Sequence, residues 1–370
     1  MRPRARKLGR PPVKQDEIVL NLRRQIVQGL LAPGARLPRR SNIEEVFHAS
    51  TVTVQRAFRR LARDGFIEAR GNLGTFVSEN PPHLNRYGLI FPWREAVHNR
   101  WSLMWIAMRH EALNLAQSGG RQIETCYDAA GHQGLGDYQR LVRSIENHCL
   151  AGLVIVAGLD QLVGTPVLDH PGLPRVAFWC EAPEIPHLSF VHVDYRNFFE
   201  RAVEYLSHRR RKIAVVGAVK DMALFDQLVR QRGLTTHPYW IHRISPMAPA
   251  TAADVTHLLM HNEDDRPDAI IIPDDNLVEH ATAGLLAAGA KVPDDVEVVA
   301  HCNFPLPPPS MVPVKRLGFD VREILRRCLD NIDMERRGEK PPRVTLVPAV
   351  FEEEIEPASS HATIHEFQKG

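Results

Sequence analysis

Apolar residues recur at helical spacing near the start of the chain. Ile18, Val19, Leu22, Ile26 and Val27 fall on one face between Asp16 and Gln28, and Gly29 stops the run. A turn centred on Pro33-Gly34 follows, and then a short helical stretch from Ile43 to Phe47. Val54, Ala57, Phe58 and Leu61 then fall at i, i+3, i+4 and i+7, one buried stripe. Ser50 can accept a bond from an orphan amide of the first turn, so it reads as the N-cap. Gly65 can take the left-handed conformation that ends a helix. Beyond it the period changes to two: Phe66 to Arg70 and Thr75 to Val77 alternate on either side of Gly71-Asn72-Leu73-Gly74. Three helices followed by a hairpin predict a winged helix-turn-helix over residues 15–78.

Asn80-Pro81-Pro82-His83 reads as a stiff linker over residues 79–85. From Tyr87 short apolar strands alternate with helices. Strands are expected at Tyr87–Phe91, Arg121–Tyr127, Leu153–Ala157, Arg175–Phe178, Lys212–Val216, Ala269–Ile272 and Val296–Ala300. Helices are expected at Ser102–Gln117, Asp137–His148, Asn197–Ser207, Ala250–His261 and Leu277–Ala288, with a charged helix end at Asp330–Lys340 and a last strand in Val344–Phe351. Short apolar strands between helices mean buried parallel sheets, so the fold class is α/β, with two β/α lobes over residues 86–356. Such lobes would hold a ligand in a cleft at the carboxyl ends of the strands. Residues 357–370 read as a disordered tail.

Charge sharpens this division. Residues 1–78 carry sixteen Lys/Arg against six Asp/Glu, and the remainder carries thirty against thirty-eight. A basic domain beside an acidic one points the first at a polyanion. Residues 1–14 hold six cations and no anion, broken by proline and glycine, and read as an extended arm. Its Gly9-Arg10-Pro11-Pro12 resembles the centre of an AT-hook, but the match is short and a plain disordered basic tail adding non-specific, salt-sensitive affinity is the favoured reading. The five scattered cysteines lack C-x-x-C spacing and fit reduced, buried thiols. There is no apolar run long enough to span a membrane and no h-region behind the basic start, so a cytoplasmic location is expected.

The face of the third helix opposite its apolar stripe carries Thr51, Val52, Gln55, Arg56, Arg59, Arg60 and Arg63. Small polar groups lie at its N-terminal end and arginines further along. A helix entering a major groove needs this order, because short side chains meet base edges while cations sit over phosphates.

Three consecutive motifs carry a resemblance. G-x-L-x-P-G-x-x-L-P, S-x-x-T-V-x-x-A-x-x-x-L-x-x-x-G-x-I and G-x-x-G-T-F-V together resemble the DNA-binding domain of GntR-type repressors over roughly residues 16–78. The resemblance implies a homodimer reading palindromic double-stranded operator DNA. It implies Ser50, Thr51, Thr53 and Gln55 as groove readers, with Arg56 beside them, and Arg70 and Gly71 as the wing tip. Thr51 and Gln55 stand where the family typically has arginines, and Arg39-Arg40-Ser41 replaces the usual Ser-Glu-Arg. Arginine pairs best with guanine and glutamine with adenine, so the implied operator differs from the commonest family one. Arg39 and Arg40 then stand as phosphate contacts, with Ser41 beside them.

The remainder resembles the sugar-sensing domain of LacI/GalR regulators, whose fold is that of periplasmic binding proteins. Cys149-Leu-Ala-Gly-Leu-Val-Ile-Val, Val193-Asp194 and its following helix, Leu206 to Gly217, Arg266 to Asp275, and Ala287 to Val299 carry the likeness. It implies a small-molecule effector, a sugar foremost, and side-by-side dimers. By position, Asp275 would accept sugar hydroxyls. Phe91, Trp93, Asp128, Trp179, Glu181 and Asn303 are further ligand candidates at strand ends, since aromatic faces suit sugar C–H surfaces and carboxylates suit hydroxyls. Each of these taken singly also reads as core or loop cap.

Catalytic motifs are absent from the sequence: no G-x-S-x-G and no glycine-rich phosphate loop occurs. His301, His280 and Glu279 lack metal-ligand spacing, and the two histidines read as satisfied surface residues. The expectation is a ligand-responsive transcription regulator, a repressor foremost, without enzymatic activity, cofactor, metal or membrane partner. The alternatives are a solute-binding protein, or an α/β-fold enzyme, with a basic appendage.

Overall fold

The computed structural model describes residues 14–93, 102–117, 120–129, 136–180, 185, 188–261 and 265–355. The basic arm up to residue 13 and the tail from residue 356 lie outside them. The described residues divide into two compact units, one within 1–97, 112–190 and 328–344, the other within 98–111, 191–327 and 345–370.

The first unit opens with α1 (Lys14–Val27), α2 (Arg40–Val46) and α3 (Thr51–Arg63), then β1 (Ile67–Ala69) and β2 (Thr75–Val77). The two strands pair antiparallel, with Ile67 opposite Val77. Ile18, Val19, Leu22 and Ile26 of α1 meet Val54, Ala57, Phe58 and Leu61 of α3 in one core, closed by Phe66 and Val77. This is the winged helix-turn-helix that the periodicity predicts. Each large apolar side chain removed from water here contributes roughly 1.5–3 kcal/mol.

Where the sequence predicts a stiff linker, Pro82 starts a one-turn helix, α4 (Pro82–Asn85), which leads directly into β3 (Arg86–Ile90). Pro82 occupies a first-turn position, where its missing N–H costs nothing. The chain continues through α5 (Leu103–Gln117), β4 (Gln122–Cys126), α6 (Gly136–Glu146), β5 (Gly152–Ile155), α7 (Pro166–Asp169), β6 (Arg175–Phe178) and β7 (Ser189–Val193). Then come α8 (Tyr195–Ser207), β8 (Ile213–Val216), α9 (Met222–Gln231), β9 (Ile241–His242), α10 (Thr251–His261), β10 (Ala269–Ile272) and α11 (Asp275–Ala287). The last elements are β11 (Glu297–Phe304), β12 (Lys315–Asp320), α12 (Val321–Arg336), β13 (Val344–Val347) and β14 (Val350–Phe351).

Two six-stranded sheets result, in the orders β13-β7-β6-β5-β3-β4 and β14-β12-β11-β10-β8-β9. Both are largely parallel. In the first, Ile90 registers with Cys126 on one side and Ile155 on the other. In the second, Ile270 registers with Val298 and Ala214. The central strands β5, β8 and β10 are buried at every position, as parallel strands covered on both faces must be.

The structure revises several boundaries. Strand β11 runs on to Phe304, four residues beyond the apolar run Val296–Ala300, so His301 and Asn303 lie within the sheet. Helix α11 starts at Asp275 because the Asp274 side chain accepts the Asn276 amide and caps it. Strand β7 and helix α9 have no clear sequence counterpart; the former is short and contains His192, and the latter is announced only by its cap, Asp221. All five cysteines are buried and none forms a disulfide. No helix among the described residues is long and apolar enough to cross a membrane.

Candidate nucleic-acid interface and ligand site

The N-terminus of α3 is built by Ser50. Its hydroxyl accepts the Thr53 amide at 3.3 Å and lies 2.9 Å from the Thr53 hydroxyl. Both hydroxyls therefore already hold one local bond, which fixes their orientation at the helix start. Thr51, Gln55 and Arg56 are exposed on the same helix, and Thr53 is half-buried. Thr51 and Gln55 are four residues apart and share a face.

Not every arginine of α3 points outward for DNA. Arg60 donates to Asp16 of α1 at 2.6 Å, and Arg63 donates to Asp64 at 3.4 Å. Arg60 braces α3 against α1, whereas Arg56, Arg59 and Arg63 are exposed. Arg39, Arg40 and Ser41 are exposed at the start of α2, and the Arg40 guanidinium lies over the Phe58 ring at 5.4 Å.

At the wing, Gly71 takes a left-handed φ of 55° with open space around it. Arg70 donates to Glu68 and Glu79 at 2.7 and 2.8 Å and covers the Phe76 ring at 4.8 Å. The two carboxylates raise its pKa further. A phosphate contact by Arg70 would have to exchange these partners.

The strand ends of the first unit hold four of the ligand candidates. Phe91 is fully buried and stacks on Tyr127 with centroids 5.8 Å apart, which is a core position. Trp93 is half-buried. Asp128 is buried and Trp179 half-buried, at the ends of β4 and β6. Both take left-handed backbone conformations, with φ of 57° and 55°. For a tryptophan this conformation is rare and costs on the order of 1 kcal/mol or more, the kind of local strain that collects at binding sites. Glu181 lies outside the described residues.

In the second unit the structure brings Asp275 and Asn303 together. The Asn303 amide donates to the Asp275 carboxylate, and the Asn276 side chain donates to the same group at 3.0 Å. The backbone N–H of Asp275 donates to Nδ1 of His301 at 3.2 Å. Tyr195 completes the group, its ring centroid 6.0 Å from that of His301. Asp275, His301 and Asn303 are all at least nine-tenths buried. Burial, with Asp274 beside it, pushes the Asp275 carboxyl up to about 7 against the pull of Asn303. Burial alone pushes His301 down to about 3. The Tyr195 phenol is held far above its usual range by burial and by Asp274 and Asp275.

Asn303 Oδ1 and His301 Nε2 are buried with no hydrogen-bond partner among the described residues. An unmet acceptor and a ring nitrogen next to a carboxylate can exchange hydrogen bonds with hydroxyl groups. Sequence reasoning selected Asp275 and Asn303 but left out Tyr195 and Asn276, and set His301 aside as a surface residue. The structure corrects the last point: His301 is 2% exposed, because β11 continues past Ala300.

Comparison with known proteins gives two family matches. Residues 14–77 match "Bacterial regulatory proteins, gntR family", and residues 203–351 match "Periplasmic binding protein-like domain". The chain is 31% identical over 65 residues to the HTH-type transcriptional repressor YtrA of Bacillus subtilis, a match covering 18% of this chain and only half the length of that protein. It is 17% identical over 358 residues to the arabinose metabolism transcriptional repressor of Halalkalibacterium halodurans, covering 90% of this chain and 94% of that one. A LacI family transcriptional regulator from Lactobacillus casei, solved with bound glucose, superposes with a TM-score of 0.51 at 16% identity, over 72% of this chain and 98% of that one.

Proposed function

We propose that this chain, which joins a GntR-type winged helix to a periplasmic-binding-protein-like domain of the LacI type, is a transcription repressor controlled by a small ligand. The capped recognition helix α3 carries the reading: Thr51, Gln55 and Arg56 stand exposed on a basic domain, and the same chain carries a ligand-binding fold. Thr51 and Gln55 read base edges. Arg39, Arg40 and Arg56 hold phosphates and set the register. A second copy of the chain supplies the two-fold axis of a palindromic operator.

The effector is a sugar or similar polyol. Asp275 accepts its hydroxyls, oriented by Asn303 and Asn276, and Asn303 Oδ1 takes a further hydroxyl. The similar repressor of arabinose metabolism and the similar regulator solved with bound glucose support a carbohydrate as the class of effector. Ligand and DNA are coupled through their different affinities for two arrangements of the protein.

Selection of genomic DNA fragments by the purified full chain at physiological salt tests the reading. Recovery of a palindrome beside a sugar transport or glycosidase gene is the expected result. Recovery of random fragments with no shared site overturns it.

A further inference from the structure

Arg23 is the least expected residue of the winged helix. It lies on α1, is 1% exposed, and does not face the DNA-reading surface. One arm of its guanidinium donates to Asp64, the C-cap of the recognition helix. The other donates to Oδ1 of Asn147, which lies outside the winged helix in the turn between α6 and β5. The face of the guanidinium covers Phe66 at 5.1 Å. The amide of Asn147 is itself oriented, since its Nδ2 donates to the Arg143 carbonyl at 2.6 Å. Two residues on, Cys149 is buried in the hydrophobic core of the winged helix.

The linker makes a second contact of the same kind. His83 stacks on Phe66 with the rings 6.0 Å apart and almost parallel. Arg336, the last residue of α12, donates to the Leu84 carbonyl at 2.5 Å. Within this unit the winged helix is thus seated on the first sheet's domain through a buried charged bond, a shared core residue and a strapped linker.

We propose that Arg23 and Asn147 form a latch that holds the recognition helix in one pose relative to the ligand-binding domain, so that Arg23 is a positioning residue for operator recognition. The connectivity makes it a route for control. Helix α6 starts at Gly136, on the strand-end side where β4 delivers Asp128, and ends at Glu146, one residue before Asn147. Its eleven residues span about 16 Å, at roughly 1.5 Å per residue. A displacement of its N-terminus therefore reaches Asn147 as a rigid movement, and Arg23 hands it to Asp64 at the end of α3.

This inference rests on the regulator reading above, and its test separates the two. Arg23→Met removes a buried cation and can unfold the winged helix, so Asn147→Leu is the deciding variant: it deletes the acceptor from outside that domain. Wild type and variant, as full chains, are compared in chymotrypsin cleavage after Leu84, in the linker helix α4. They are also compared in affinity for the selected palindrome and for two derivatives with the centre lengthened or shortened by about two base pairs. A bond from a charged donor sets the scale at about tenfold. Linker cleavage should quicken about tenfold, and the preference for the native spacing should shrink by a similar factor. Unchanged cleavage overturns the latch. So does an affinity loss equal on all three spacings, which is the signature of a merely structural bond. If the wild type selects no palindrome, the regulator reading falls, and cleavage alone still decides whether Arg23 and Asn147 dock the domain.

Discussion

The backbone N–H of Asp275 donates to Nδ1 of His301 at 3.2 Å, so the ring stays neutral with its proton on Nε2. The two side chains have their pKa values pushed in opposite directions, Asp275 up to about 7 and His301 down to about 3. A carboxyl with a raised native pKa favours the folded state while it is protonated. Its contribution is full below the unfolded value of 3.8 and is lost as pH rises towards 7. A histidine with a lowered native pKa contributes above its unfolded value of 6.5, and that contribution is lost as pH falls towards 3. Between these unfolded values the two slopes oppose each other. Replacing one residue should unmask the other. His301→Gln should give a melting temperature that falls from pH 4 to 7, and Asp275→Asn one that rises from pH 4 to 6.5. Thermal melts of both variants across that range measure this, and parallel curves for the two would contradict the assignment.

Ser50 has a structural duty as well as a candidate reading one. Ser50→Ala should destabilise the chain by about 1 kcal/mol through loss of the cap. Ser50→Asn should restore the cap. Urea denaturation reads stability and operator titration reads affinity. Stability restored without affinity would assign the hydroxyl to DNA.

Gln55 and the Arg39–Arg40 pair should fail differently. Gln55→Ala should cost about 1–3 kcal/mol on the selected operator and relax the base preference there. Replacing Arg39 and Arg40 by alanine should weaken binding to every DNA by a similar factor and reduce the salt slope by about 2. Salt titrations on specific and random duplexes distinguish the patterns, and a sequence-independent loss for Gln55→Ala would demote it to a backbone contact.

Gly284 lets α10 and α11 cross closely. A Cβ there would lie 2.1 Å from both the Ala253 carbonyl oxygen and the Thr256 hydroxyl. Alanine gains about 1 kcal/mol of helix propensity over glycine. Overlap with a backbone carbonyl cannot be relieved by a rotamer change and costs typically 1–3 kcal/mol or more. The overlap should win, so Gly284→Ala should lower the urea midpoint without altering DNA affinity per folded molecule.

Local order determined most of what the sequence shows. The winged helix was legible because its periodicities, the Ser50 cap, the Gly65 stop and the Gly71–Gly74 turn are all encoded within a few residues of where they act. The parallel sheets were legible in the same way, since buried strands such as Ala269–Ile272 are continuous apolar runs. Asp275 and Asn303 could be chosen by position, but their partnership joins residues twenty-eight apart across two elements. His301 looked like a surface residue until β11 carried it into the sheet. Nothing local in the sequence sets Arg23 apart from the neighbouring Arg24. The burial of Arg23 depends on Asn147 and Cys149, more than a hundred residues away, arriving beside Asp64 and Phe66. A sequence lays down periodicity, caps and turns, because these are interactions between neighbours along the chain. Which polar groups lose their water, and which partner then meets them, is decided only when distant segments pack together.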